Sequence, residues 1–462
     1  MKSKNICCIG AGYVGGPTMA VIALKCPEYI VTVVDVNKQR IKEWNGDINK
    51  LPIYEPGLKE IVEKTRNNNL FFSEDIDMAI NNSSIIFMAV NTPTINHGKG
   101  KGMATDLSYI EECSQRIASI SKSDKIIVEK STTPIGTGQK IKQVLSSNKK
   151  VNFEVISNPE FLAEGTAIDD LICPDRVLIG GENSPSAKKA ISEIVSIYSH
   201  WIKKEKIITT NLWSSELSKL ASNAFLAQRV SSINSLSALC EVSGANIKEV
   251  SKAVGADKRI GNQFLESSIG FGGSCFKKDI LNLVYLCKFY DLPEVADYWH
   301  NVIKINDYQK SRFVERIIAN LNESINEKVI TILGWAFKKD TNDSRESASI
   351  DVSFSLLNNG SRIKVFDPMV DSQRIIQDIT QHCKSKGFTD SAINIMIKKT
   401  KICNSILEAV QDTHCITILT EWDEFKEIDW IKIKKESNNS LFIADGRNLL
   451  DLNSLKGKVD KY

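Results

Sequence analysis

The chain has 462 residues, 42% of them hydrophobic and 25% charged, with 59 Lys and Arg against 56 Asp and Glu and a formal net charge of +3. With a pI near 8.1, that balance excludes the strongly basic surface that would argue for nucleic acid or an anionic membrane as partner. No apolar run approaches the ~18 residues of a membrane span, and the length suits about three globular domains.

Residues 6–9 read as a buried first strand, followed by the turn Gly10-Ala11-Gly12-Tyr13-Val14-Gly15 and a helix predicted over 18–25. A second apolar run, residues 30–34, ends at Asp35. Strand, glycines, helix and carboxylate in that order are the setting a dinucleotide requires. The first two glycines make the tight turn and bring the pyrophosphate to the helix N-terminus, and the third lets helix and strand pack. Asp35 would accept hydrogen bonds from a ribose hydroxyl and repel the extra phosphate of NADP, which favours NAD. Arg40 is the nearby residue that could accommodate that phosphate.

Further apolar runs at 85–90, 125–129 and 177–180 alternate with helical patterns. Alternation of this kind predicts an α/β domain over 1–210, with a parallel sheet covered by helices on both faces. Residues 211–243 contain neither glycine nor proline, and Leu217, Leu220, Ala221, Ala224 and Phe225 keep helical spacing, continued by Ile233, Leu236 and Leu239. The spacing predicts a long central helix capped by Asn211 or Ser214, with further helices through 299–321, in a helical domain over 211–327.

Within that domain, Gly270-Phe271-Gly272-Gly273-Ser274-Cys275-Phe276-Lys277-Lys278-Asp279 puts a cysteine behind three glycines and before two lysines and an aspartate. The glycines would let backbone approach a substrate closely. Adjacent ammonium groups, or a helix starting at Cys275, would favour the thiolate, a nucleophile suited to a carbonyl carbon. A buried cysteine in a tight turn is the ordinary alternative. A cysteine nucleophile together with a dinucleotide turn points to oxidation as far as the acid. The thiolate adds to an aldehyde, hydride leaves to the nicotinamide, and water hydrolyses the resulting thioester.

Residues 328–462 contain apolar runs at 329–334, 363–368, 415–419 and 441–445. They predict a second Rossmann-like domain, although residues 334–340 lack the three-glycine turn. Residues 381–401 have a mixed pattern with no assignment. The N-terminus enters the first strand directly, which predicts no secretory signal. Eleven scattered cysteines without a Cys-x-x-Cys pair read as reduced thiols in the cytosol. The five histidines are spread along the chain, and no ligand spacing predicts a metal.

The turn at Gly10 to Pro17, Leu51-Pro52-Ile53-Tyr54-Glu55-Pro56-Gly57-Leu58, Val90-Asn91-Thr92-Pro93-Thr94, Glu129-Lys130-Ser131-Thr132, Asn158-Pro159-Glu160-Phe161-Leu162-Ala163-Glu164-Gly165, the Cys275 loop and Phe337-Lys338-Lys339-Asp340-Thr341 occur in this order. So arranged, the chain resembles the UDP-glucose/GDP-mannose dehydrogenase family over nearly its whole length, in the form of the animal and plant branch. The resemblance implies two Rossmann-like domains joined by the central helix. It implies four-electron oxidation of UDP-glucose to UDP-glucuronate, using two NAD⁺ and one water.

The resemblance also implies site residues. Cys275 matches the nucleophile, Lys219 and Asn223 the groups on the reacting oxygen, Asp279 and Thr132 those that hold the water, and Glu160 the general base, in an apolar setting beside Phe161 and Leu162 that would raise its pKa. Cofactor contacts fall on Gly10, Ala11, Gly12, Tyr13, Val14, Gly15, Asp35, Arg40, Val90, Asn91, Thr92, Pro93, Thr94, Ser131, Thr132, Glu164, Lys278 and Arg345. Substrate contacts fall on Glu160, Phe161, Leu162, Lys219, Asn223, Arg259, Phe264, Leu265, Phe271, Gly272, Phe337, Lys338 and Arg447.

Arg259 is expected to reach a neighbouring subunit, which implies a homo-oligomer, a dimer or hexamer. Glu266 departs from the lysine often found near the sugar. Ordinary alternatives stand beside these roles: a solvated Lys219–Asn223 pair, a capping Asp279 or Glu160, and a simple strand-end turn at 131–134. The same chemistry on GDP-mannose or UDP-N-acetylmannosamine is the close rival. A catalytically silent sugar-nucleotide sensor is a remote one, against which Cys275, Lys219 and Asp279 are all present.

Overall fold

The structure is a computed structural model that describes residues 4–321, 324–436, 441–451 and 455. It divides into two compact units, residues up to Ser222 with Leu281–Asp291, and Asn223–Ile280 with the residues from Leu292 on.

The first unit carries β1 (Lys4–Ile9), β2 (Tyr29–Val34), β3 (Leu70–Ser73), β4 (Ile85–Met88), β5 (Lys125–Glu129), β6 (Phe153–Ser157), β7 (Val177–Gly180) and β8 (Ile207–Thr210). They form one sheet in the order β3-β2-β1-β4-β5-β6-β7-β8, the reversal at β1/β4 being that of a dinucleotide fold. β1 shows why it is a doubly covered strand. Ile6 and Cys8 belong to the core on one face, and Cys7 and Ile9 to the core on the other, as alternation along a buried strand requires. β3, β6 and β8 are absent from the sequence prediction: β3 and β8 are short and partly exposed, and Glu154 interrupts the apolar run of β6. The sheet is also not wholly parallel: β7 meets β6 antiparallel through the single pair Ser157 and Gly180, and β8 runs parallel to β7.

The second unit holds β9 (Val329–Leu333), β10 (Arg362–Phe366), β11 (Thr400–Ile402), β12 (Cys415–Ile418) and β13 (Phe442–Asp445). Their order is β11-β10-β9-β12-β13, parallel throughout. The unassigned stretch resolves into the end of a helix at Ser372–Ser385, a helix at Asp390–Lys398 and then β11. Asp371 and Thr389 cap these two helices with their side chains, a local signal that the mixed pattern obscured.

The central helix runs Leu212–Ser243, and the division between the units falls within it. Asn211, the first of its two candidate caps, accepts from Ser214 N at 2.8 Å. Helices follow at Phe276–Phe289 and Pro293–Asn320. The second starts earlier than predicted because Pro293 fits a first helical turn. Among the described residues no helix is long and apolar enough to cross a membrane.

Candidate active site

In the first unit the candidate residues follow the C-terminal ends of neighbouring strands, where open α/β sheets bind ligands. After β1, Gly10 takes φ +113, and a Cβ there would lie 2.2 Å from Ala89 O. A Cβ on Gly15 would lie 1.9 Å from Gly10 O and 3.1 Å from Cys8 Sγ, so this glycine permits helix and strand to touch. On Gly12 it would meet only Arg40 Nη1, at 3.9 Å, leaving open space over the turn. The helix begins at Gly15, with Val14 at its cap position, three residues before the predicted start.

Asp35 Oδ2 accepts from Ala11 N and its Oδ1 from Asn37 N, both at 2.8 Å. Arg40 Nη1 stands 3.7 Å from the same carboxylate. Asp35 therefore braces the turn while keeping lone pairs for a further donor. The open space over Gly12 and the braced carboxylate fit a dinucleotide.

The loops after β4 and β5 are tied together. Ser131 Oγ donates to Val90 O at 2.7 Å, and Thr92 Oγ1 to Thr132 O at 3.0 Å. Thr94 bridges to Thr105, and Asn91 and Pro93 are exposed beside the buried Thr92.

After β6, Glu160 differs from expectation. Its carboxylate is not in an apolar setting: Oε2 is 2.7 Å from the Nζ of buried Lys130, and Oε1 accepts from Phe161 N at 2.9 Å. Phe161 itself lies between cations, with Arg176 Cζ 3.9 Å and Lys219 Nζ 5.2 Å from its ring centroid. Leu162 packs on the core. Lys130 and Arg176 join these candidates, and sequence reasoning missed both. Lys130 stood in a quoted block, yet nothing local tied it to Glu160.

Two further carboxylates act on backbone. Glu55 accepts from Gly165 N at 2.9 Å and Ala167 N at 3.2 Å, ordering the chain after Glu164. Glu216, on the central helix, accepts from Gly136 N and Gly138 N at 2.7 Å, where the Thr137–Leu145 helix starts.

Burial, and after it the charge of Glu216, holds the carboxyl of Glu129 well above its ordinary range. A carboxyl raised in the fold contributes stability that is complete below its unfolded pKa and is lost as pH rises through the folded value. Glu129→Gln keeps the acceptor for Thr133 Oγ1, now 2.6 Å from Glu129 Oε1, and cannot ionise. Its melting temperature relative to the unaltered protein is therefore expected to rise steadily from mildly acidic to mildly alkaline buffer. A pH-independent difference in thermal scans would refute this.

In the second unit, Cys275 precedes the Phe276–Phe289 helix, and its carbonyl accepts the first helical bond, from Asp279 N at 2.9 Å. The cysteine thus sits at the electropositive helix end. All eleven cysteines are free, and only Cys173 and Cys275 are exposed. The glycines before it are closely packed. A Cβ on Gly270 would lie 2.5 Å from Asn306 Oδ1, one on Gly272 2.5 Å from Glu346 O, and one on Gly273 2.9 Å from the Phe337 ring. Lys277 pairs with Glu346 at 2.8 Å, and Lys278 lies in the same first turn.

Asp279 is buried, and its Oδ2 accepts from Asn223 Nδ2 at 2.6 Å. Asn223, expected beside Lys219, is thus paired with Asp279, and Lys219 is itself buried one turn earlier on the central helix.

Phe264, Phe271 and Phe276 form an aromatic group. Phe264 holds φ +59, a strained conformation for a bulky residue, and Leu265 beside it is buried. Arg447 donates from Nε to Leu419 O and from Nη2 to Phe337 O, both at 2.7 Å. Lys338 Nζ lies 5.8 Å from the Phe337 ring centroid. Arg345 chelates Asp343 through Nε and Nη2 at 2.7–2.9 Å. Arg259 is 89% exposed and pairs with Asp257 at 2.6 Å, and Glu266 is exposed.

Elsewhere, Cys26, Glu28 and His200 bring one ligand atom each within 4.8 Å of one another. They lie at the N-terminal side of β2, away from the strand ends above, and His200 Nε2 already pairs with Glu28 Oε1 at 2.7 Å.

A nicotinamide-dependent dehydrogenase is the class these features define. Residues 4–202 match the NAD binding domain of the UDP-glucose/GDP-mannose dehydrogenase family, residues 213–308 its central domain and residues 331–452 its UDP binding domain. The chain belongs to the UDP-glucose/GDP-mannose dehydrogenase family. It is 53% identical over 459 residues to UDP-glucose 6-dehydrogenase 1 of Glycine max, covering 98% of this chain and 95% of that one. With UDP-glucose 6-dehydrogenase of Gallus gallus it shares 55% over 450 residues, 97% of this chain and 90% of the relative. A solved UDP-glucose dehydrogenase from the archaeon Pyrobaculum islandicum matches with a TM-score of 0.82 and 28% identity, covering 96% of this chain and 94% of that one.

Proposed function

We propose that the chain oxidises the primary alcohol of UDP-glucose to the carboxylate of UDP-glucuronate, consuming two NAD⁺ and one water per sugar. The observation that carries this is Cys275, an exposed thiol at a helix start, in a chain whose first unit has the dinucleotide turn. Identity of 53–55% with plant and animal UDP-glucose 6-dehydrogenases favours UDP-glucose over other sugar nucleotides.

When bound, NAD⁺ accepts the hydride of each oxidation. Gly10 to Gly15, Asp35, Arg40, the 90–94 loop, Ser131, Thr132, Glu164, Lys278 and Arg345 hold it. Lys219 bonds the reacting oxygen, where an ammonium offsets developing charge, and the buried Asn223–Asp279 pair acts beside it. The Cys275 thiolate adds to the aldehyde carbon and, after the second oxidation, carries the acid as a thioester. Thr132 and Asp279 orient a water. Glu160 takes its proton as oxygen adds to the thioester carbon, and the C–S bond breaks to return the thiolate.

The sugar nucleotide lies against Phe161, Leu162, Phe264, Leu265, Phe271, Gly272, Phe337, Lys338 and Arg447, with Arg259 donated by a second copy of the chain. The exposure of Arg259, and of apolar Phe225, Leu239 and Val242 on the central helix, supports self-association. The eleven free thiols support a cytoplasmic location.

Counting NADH at 340 nm per UDP-glucose consumed tests the reaction. Two per sugar are expected. One per sugar would overturn the thioester step, and turnover of GDP-mannose alone would overturn the substrate.

A further inference from the structure

Lys130 is an unusual residue to find at the end of β5. Its side chain is 3% exposed, and a buried ammonium persists only where partners offset its lost hydration. Those partners converge from several elements of the first unit. Glu160 Oε2 lies at 2.7 Å, Asn158 Oδ1 at 3.3 Å and Tyr198 OH at 3.4 Å. The last two are locked in turn, Tyr198 OH donating to Asn158 Oδ1 at 2.6 Å and Asn158 Nδ2 to Leu178 O at 2.8 Å.

These groups line a cavity of about 20 Å³, with Phe161 and Arg176 among its walls, a volume that holds about one water. The other titratable or charged groups around the pair are Asp170 and Arg176 on the cavity wall and Cys8 on β1. Burial lowers the Lys130 pKa, but the charge of Glu160 and the side-chain hydrogen bonds to Glu160 and Tyr198 outweigh burial and raise it above its ordinary value.

We propose that Lys130 is a positioning residue for thioester hydrolysis, fixing the orientation of the Glu160 carboxylate by ion pair as it takes the proton of water. The proposal rests on Glu160 being the base. With Oε2 on Lys130 and Oε1 on the Phe161 amide, the carboxylate cannot rotate, and each oxygen retains a lone pair to receive the proton. Water gives that proton to Glu160, its oxygen joins the thioester carbon, and the carbon–sulfur bond breaks. Asn158 and Tyr198 keep the ammonium partnered at the moment Glu160 becomes neutral.

The test compares Lys130→Met, Lys130→Arg and Glu160→Gln in the full chain, quenching turnover and weighing the protein by mass spectrometry for acid held on Cys275. Lys130→Met is expected to accumulate acyl-enzyme and to slow glucuronate release about tenfold or more, part of the ~10²–10⁴ a general base supplies. KM for UDP-glucose should change little, so that the loss falls on kcat. Lys130→Arg should restore part of the rate.

Glu160→Gln accumulating acyl-enzyme while Lys130→Met does not would overturn this proposal alone. Normal hydrolysis by Glu160→Gln would overturn the base assignment and the proposal with it. Should Lys130→Met fold poorly, Tyr198→Phe keeps the ion pair and removes the second partner. An unchanged kcat and no acyl-enzyme in that variant would count against the network.

Discussion

Cys275→Ala is expected to abolish glucuronate formation, with a loss of about 10⁴-fold or more, as removal of a covalent nucleophile commonly costs. UDP-glucose and NAD⁺ should still bind, because the loop does not depend on the thiol. Gly270, Gly272 and Gly273 are seated against Asn306, Glu346 and Phe337, and Phe271 N and O both bond Asn306, at 2.8 and 3.1 Å. The recorded hydrogen bond of the thiol is a 3.5 Å contact with Ser274 Oγ, so truncation leaves the backbone frame intact. Calorimetric binding of both ligands, together with product analysis, checks the result. Glucuronate at the native rate would remove Cys275 from the chemistry.

Two glycines of one turn are expected to fail in opposite ways. Gly15→Ala would force a Cβ to 1.9 Å from Gly10 O, a backbone atom that cannot yield. Overpacking of this kind costs about 1–3 kcal/mol or more, a fall of roughly 6–12 °C in melting temperature at the upper figure, and it displaces the turn that receives the pyrophosphate. Gly12→Ala meets only Arg40 Nη1 at 3.9 Å, so its melting temperature should be unchanged without ligand. Its methyl fills the space over the turn, and NAD⁺ affinity should fall at least tenfold. Thermal scans with and without NAD⁺ separate the two. Equal behaviour of both variants would refute the division of labour between these glycines.

The alternation of apolar runs made β1, β2, β4, β5 and β7 legible, because each lies between two covered faces and needs a continuous apolar stretch. β3 and β8 were not legible. Each has four residues, and each lies at an edge of the sheet, with side chains exposed enough to blur the pattern. The antiparallel turn at β7 was equally hidden, since strand direction depends on the path of a connection rather than on the strand's own residues.

Among the candidate site residues, motif order singled out Cys275, Asp279, Glu160 and the glycine turn. It misjudged the surroundings of Glu160, because adjacent Phe161 and Leu162 suggested an apolar pocket while the real neighbour came from β5.

What the sequence by itself determined was chemistry that resides in local order: a strand–glycine–helix turn with its aspartate, a cysteine at a helix start, and a long helix without glycine or proline. Tertiary structure alone decided the partners of the buried charges, Lys130 with Glu160, Asn223 with Asp279 and Glu216 with the 136–138 backbone. These pairs join residues 30 to 80 positions apart. A buried charge is tolerated only where the fold supplies its counterpart, and that counterpart leaves no periodic trace along the chain.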